Sequence, residues 1–220
     1  MATSALSAID YGSITAPWWA DAPVAIVGGG ESLRGFDFAR LRGWSVVAVN
    51  ESLIHLPTSV AVVSIDHNWI RHRTQELSLF ADAKFLAVAS DYVNWEIIAQ
   101  IPDAIWLRRS RDAGLSTKPD TVHVCGTSGY AALNVAFLKR AKHIALLGFD
   151  MYGGYWHRAY NHLGGPRISE MSDVWSAAFE PAARQLENAG VIVTNYSPDS
   201  RITAFPRATL EQLGQKEITL

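Results

Sequence analysis

The chain has 220 residues, 49% hydrophobic and 18% charged, enough apolar material for the two-sided core of one large domain. Its 19 basic and 21 acidic residues leave a formal net charge of −2, which argues against general affinity for nucleic acid or an anionic membrane surface. A single cysteine, Cys125, excludes an intrachain disulfide framework, and no apolar run approaches the roughly 20 residues that span a bilayer.

Residues 1–22 read as an N-terminal extension. They lack a basic region followed by a continuous apolar run, so no signal peptide is expected and a cytoplasmic location is the default. Trp18 and Trp19 stand side by side before the first strand, suited to capping a sheet edge or to forming a partner surface. Apolar runs then recur at 24–27, 45–49, 60–65, 85–88, 105–107, 143–149 and 191–194. Most are continuous rather than alternating, the pattern of strands covered on both faces.

Helices are expected over 69–80, 128–142 and 173–189. The second opens with Ser128 as N-cap, and Gly190 closes the third at C′. Strand–helix alternation implies right-handed crossovers. The expected class is α/β: a Rossmann-like, doubly wound, mostly parallel sheet with helices on both faces, in a single domain over 23–207 followed by a tail at 208–220. Two loops, 110–127 and 152–172, are too long for plain connectors, and the second is expected to act as a lid.

The chemistry sits where strands end. The first strand runs into Gly28-Gly29-Gly30-Glu31-Ser32-Leu33. Glycines permit close approach of a phosphate, and a following helix start offers N–H groups to an anion. Leu33 occupies the third glycine's place in G-x-G-x-x-G, which disfavours a dinucleotide site; the alternative reading is an ordinary tight turn. Asn50 ends the second strand, twenty residues after Gly30, where with Glu51 beside it the amide could pair with ribose or base, or act as a loop cap. Asp66 ends the third strand and is either a metal or hydroxyl contact or the N-cap of the next helix.

Cys125-Gly126-Thr127-Ser128-Gly129 forms a second anion-binding helix start. Cys125 itself is either a nucleophile or a small packing residue. Gly148-Phe149-Asp150-Met151-Tyr152 leads into a loop holding Tyr155, His157, Tyr160 and His162. Histidine transfers protons near neutral pH, and tyrosine hydroxyls hold a phosphate or leaving group without adding charge; the bland alternative is an aromatic lid. The spacings His67/His72 and His157/His162 do not suit zinc, while Asp66 and Asp150 are placed to share a Mg²⁺ carried in by a nucleotide.

With these residues the chain resembles the superfamily that joins bacterial sialyltransferases of glycosyltransferase family 42, motility accessory factor domains and archaeal hydroxymethylpterin pyrophosphokinases, including short phage-encoded relatives. The glycine turn is similar to the family's G-x-G-P-S-L, with Glu31 in place of proline. Asn50, Asp66, Thr127-Ser128-Gly129 and the run from Gly148 to Tyr152 match family motifs in order, as does the tail from Asn195 to Ser200. The likeness covers 24–206.

In the sialyltransferases this implies a CMP-sugar held by the glycine turn, the asparagines and the T-S-G serine, with two tyrosines supporting the departing phosphate and a histidine as base. Carried over, Tyr152 is the first tyrosine, Tyr155 or Tyr160 the second, and His162 or His157 the base. His162 is preferred, since Gly164-Gly165 beyond it lets the chain turn. Where those enzymes carry an arginine three residues before the serine, this chain has Cys125, so Arg109, Arg111, Arg158 or Arg167 would supply the charge.

The expected function is a nucleotide-dependent transferase, glycosyltransferase-like, with a nucleotide-activated sugar as donor and an unspecified acceptor. The expected catalytic residues are His162, His157, Tyr152 and Tyr155. Gly28, Gly29, Gly30, Ser32, Asn50, Asp66, Thr127, Ser128, Gly129 and Asp150 are expected to bind the nucleotide. No resident metal is expected; Mg²⁺ is admissible but not required. The alternatives are Mg²⁺-dependent pyrophosphoryl or phosphoryl transfer to a small heterocycle, and a non-catalytic nucleotide-sugar binding module. A homo-oligomer is compatible with the sequence.

Overall fold

The computed structural model describes residues 11–15, 19, 22–56, 58–87, 95–157 and 168–214. The strands are β1 Val24–Val27, β2 Ser45–Val49, β3 Ala61–Ser64, β4 Ala83–Leu86, β5 Ala104–Trp106, β6 Arg108–Ser110, β7 Thr121–His123, β8 His143–Leu147 and β9 Ile192–Asn195. Seven form one sheet in the order β5-β4-β3-β2-β1-β8-β9, and every neighbouring pair is parallel. Strand order therefore reverses beside β1, whose Val24 pairs with Ser45 on one side and Ile144 on the other.

The continuous apolar runs have a direct cause. Successive side chains alternate across the sheet, and both faces are covered. Val24 and Ile26 join the cluster containing Val47, Ile144 and Phe179, whereas Ala25 and Val27 join the one containing Leu33, Val46 and Leu147. The helices are α1 Ser52–His55, α2 His67–His72, α3 Thr74–Leu79, α4 Trp95–Gln100, α5 Ser128–Leu138, α6 Ile168–Ala177 and α7 Phe179–Asn188. Helix α5 is buried nearly all round, as its alanine-rich body allows. Buried Asn134 within it accepts from the Ser116 and His123 N–H groups at 2.9 and 2.8 Å, which fastens the 114–123 segment to the helix.

Several expected boundaries are corrected. The 69–80 helix is two helices meeting at Arg73, whose guanidinium turns inward to the buried carboxylate of Glu51. The 173–189 helix starts earlier, at Ile168, so the loop expected through residue 172 ends sooner. It also breaks at Ala178, because Pro181 has no N–H to donate to the Ala177 carbonyl and its ring crowds that turn. Strands β6 and β7, a small parallel pair, went unread because three polar-rich residues carry no periodic signal.

The flanks pack on the sheet. Gly12 and Ile14 donate backbone hydrogen bonds to Trp106 and Pro119, and Trp19 meets Phe85 edge-on at 6.4 Å. Trp18 lies outside the described residues. Beyond residue 207, the Ala208 N–H bonds the Asn195 carbonyl and Leu213 is buried. Among the described residues no helix is long and apolar enough to cross a membrane.

Candidate functional site

The turn after β1 is closed by its own neighbours. A Cβ on Gly29 would stand 2.7 Å from the Tyr155 ring, and one on Gly30 would stand 2.6 Å from the Asp150 carboxyl carbon. The segment after β8 folds back across this turn: Gly30 and Tyr155 form an antiparallel bridge, and Trp156 donates its backbone N–H to the Gly29 carbonyl at 3.0 Å and its indole N–H to the Gly28 carbonyl at 3.1 Å.

At the turn expected to cradle an anion, most backbone donors are already engaged. The helix that follows is a single 3₁₀ turn, Glu31–Leu33, and the N–H groups of Gly28, Gly30, Ser32, Leu33 and Arg34 are all bonded within the chain. Ser32 also gives its hydroxyl to Asp150 at 2.6 Å. Neither Ser32 nor Asp150 lines the adjoining cavity, so these two expected ligand contacts hold each other instead. A Mg²⁺ shared by Asp66 and Asp150 does not fit this arrangement, because the Asp150 carboxylate is buried and engaged by Ser32.

A cavity of about 350 Å³ opens at the carboxyl edge of β1, β2, β3 and β8. Gly28, Gly29, Gly30, Asn50, Asp66, Thr127, Ser128, Gly129, Tyr152, Tyr155 and His157 all line it. Asn50 adopts φ +51°, a left-handed conformation that asparagine tolerates better than most residues, and its buried Oδ1 has no hydrogen-bond partner. A buried acceptor left unpaired costs roughly 1–3 kcal/mol. Glu51 turns the other way, accepting from the Trp69 indole at 2.9 Å and from Arg73, and does not line this cavity.

Asp66 is the N-cap of α2, accepting from the Trp69 N–H at 3.0 Å, and also borders the cavity. At the start of α5 the cap is Thr127, whose Oγ1 accepts from Tyr130 N–H at 3.1 Å. Ser128, expected as the cap, is the first helical residue. Its Oγ reaches across to accept from the Ile65 N–H at 3.1 Å and so tethers α5 to the end of β3. The positive end of the α5 dipole therefore faces the cavity through Gly126, Thr127, Ser128 and Gly129.

Gly126 has φ +87°, and a Cβ there would run into the indole of Trp175. Cys125 does not line the cavity, and burial pushes its thiol pKa up, away from a nucleophile and toward the packing reading.

Arg109, from β6, brings a cation to the same wall. Tyr155 and His157 stack at 5.6 Å with planes 18° apart, and the Nε2 of His157 lies 3.1 Å from where a Gly29 Cβ would be. Burial lowers the His157 pKa below its ordinary 6.5, leaving a neutral imidazole at neutral pH. Burial raises the phenol pKa of Tyr155, with Asp66 adding to it. Tyr152 moves the same way through burial and then Asp150, Asp199 and Glu31, so both phenols stay protonated donors. His162, Tyr160, Arg158 and Arg167 lie outside the described residues.

Trp175 and Met151 also line the cavity and were missed. An apolar residue within a helical or loop pattern gives no sign of which wall it faces.

No protein-family model and no curated protein matches the chain. Among solved structures it is similar to the MAf glycosyltransferase from Magnetospirillum magneticum AMB-1, with a TM-score of 0.62 and 14% identity. The match covers 92% of this chain and 36% of that one, so the chain spans about a third of the larger protein's length. What the two share is the fold.

Proposed function

We propose that the chain is a nucleotide-dependent transferase, glycosyltransferase-like, that uses a nucleotide-activated sugar as donor. The reading is supported by a glycosyltransferase of the same fold. It is carried by one observation: Asn50, the N-terminus of α5, Arg109 and His157 converge on one cavity. That cavity sits near the strand-order reversal, where open α/β sheets bind ligands.

In this reading the α5 N-terminus and Arg109 hold the phosphate. Asn50 accepts from a ribose hydroxyl or a base N–H. Tyr152 and Tyr155 donate to the phosphate oxygen that leaves. His157 takes the proton from the acceptor hydroxyl as that oxygen forms the new bond to the sugar, an inverting displacement. His157 takes the role of base in this reading because it lies on the cavity wall, while His162, the base preferred from the sequence, lies outside the described residues.

The Mg²⁺-dependent pyrophosphoryl alternative loses support because Asp150 is occupied by Ser32. A thermal-shift screen of CMP, UDP, GDP, ADP and their sugar conjugates tests the binding. A ligand at 100 times its Kd stabilises the fold by about 2.7 kcal/mol. Turnover of the best donor in EDTA supports glycosyl transfer. Strict Mg²⁺ dependence favours phosphoryl chemistry, and binding without turnover marks a binding module.

A further inference from the structure

His157 has a neighbour that the proposed reaction does not use. His55, the last residue of α1, stacks on its imidazole at 6.0 Å with the planes only 15° apart, while Tyr155 stacks on it at 5.6 Å and 18°. Trp156 packs against both histidines, with ring centroids 4.8 Å from His55 and 5.2 Å from His157. His157 is buried whereas His55 is exposed, so the stacked pair links the cavity wall to the protein surface.

Helix α1 is short, but its start is anchored. The Ser52 hydroxyl donates to the Gly28 carbonyl at 2.9 Å, and Glu51 before it is locked by Arg73 and Trp69. His55 is thus presented from a fixed support, tied to the same glycine turn that His157 overlies.

We infer that His55 is a positioning residue for His157: its ring closes the outer face of the imidazole and fixes the plane in which that imidazole meets the cavity. The inference rests on the transferase reading, with His157 as base. The ring does this by shape. A base abstracts a proton efficiently only when held at hydrogen-bonding distance and angle, and small misplacements cost large factors in rate.

Among the described residues, the charged and titratable groups near His157 include Glu51 and His55 from the α1 side and Tyr155 from its own loop. Glu51 favours the imidazolium and a charged His55 opposes it, both less strongly than burial does. A planar, uncharged substitute should therefore keep what matters.

The test compares His55→Ala with His55→Phe in two measurements. Steady-state kinetics with the best donor should show kcat falling roughly tenfold or more in His55→Ala with donor Kd unchanged. His55→Phe should restore kcat to within about threefold of the parent. NMR titration of the His157 ring should show its pKa moving up toward the ordinary value in His55→Ala, as water reaches the uncovered face, and staying depressed in His55→Phe.

An unchanged His157 titration and kcat in His55→Ala would overturn the inference, as would a His55→Phe variant as impaired as the alanine one. A parent protein that turns over no donor sinks the transferase reading instead, and the titration still decides whether His55 covers His157.

Discussion

Asp150 grips Ser32 twice across 118 positions of chain, accepting the backbone N–H at 2.8 Å and the hydroxyl at 2.6 Å. The Ser197 hydroxyl stands 3.2 Å from that of Ser32, so the turns after β1, β8 and β9 meet at one buried carboxylate. Asp150→Asn removes the charge from these bonds and should lower stability by about 1.5–3 kcal/mol, read from urea unfolding. Unchanged stability would show that the clasp is incidental.

Asn50 supplies a test that separates folding from binding. Glycine at φ +51° is unstrained, and Asn50→Gly also removes the unpaired Oδ1, so the free protein should gain about 1 kcal/mol. Affinity for the nucleotide found by thermal shift should fall by about 1–3 kcal/mol, since the lost bond is made only in the complex. If affinity stays the same, Asn50 is a turn residue and nothing more.

At the start of α5 two adjacent hydroxyls have different duties. Thr127→Ala removes the cap and should cost about 1 kcal/mol. Ser128→Ala leaves the buried Ile65 N–H without its acceptor and should cost roughly 1–3 kcal/mol. Calorimetry of both variants decides. A Ser128→Ala protein of full stability but reduced nucleotide affinity would assign that hydroxyl to the ligand rather than to β3.

Gly126 and Trp175 should be energetically coupled. Gly126→Ala meets both a left-handed backbone, at roughly 1–2 kcal/mol, and the indole wall. In a Trp175→Ala background only the backbone share should remain, giving a coupling energy of roughly 0.5–3 kcal/mol, the range seen for contacting pairs. Simple additivity would mean the indole moves aside freely.

For His157, replacement by glutamine should reduce kcat by about 10²–10⁴ while nucleotide Kd holds. In the parent protein the acid limb of kcat/KM should lie below pH 6.5, because burial makes the folded imidazole harder to protonate. Stability follows the same sign. The unfolded chain binds this proton more readily, so the contribution is full above pH 6.5 and declines as pH falls from there toward the lower folded value. His157→Gln should lose that part of the pH slope; an unaltered profile counts against the assignment.

The sequence by itself determined the parallel α/β architecture, because unbroken apolar runs such as 24–27 and 45–49 have only one economical home, a sheet buried on both faces. It also placed most of the cavity wall, since in such a sheet the residues just past the strand ends share one edge. Asn50, Asp66 and Tyr152 follow from that rule alone.

Tertiary structure decided what each polar group is bonded to. Asp66 and Asp150 look alike as acids at strand ends, yet one caps α2 beside the cavity and the other is enclosed by Ser32. Ser128 and Thr127 are equally good caps on paper, and only the position of the Ile65 N–H separates them. The contacts of Arg109, Trp175 and His55 with this site depend on chain segments far apart in sequence. Periodicity reports which face of an element is apolar. Which distant hydrogen-bond partner or ring a side chain meets is fixed only when the elements pack.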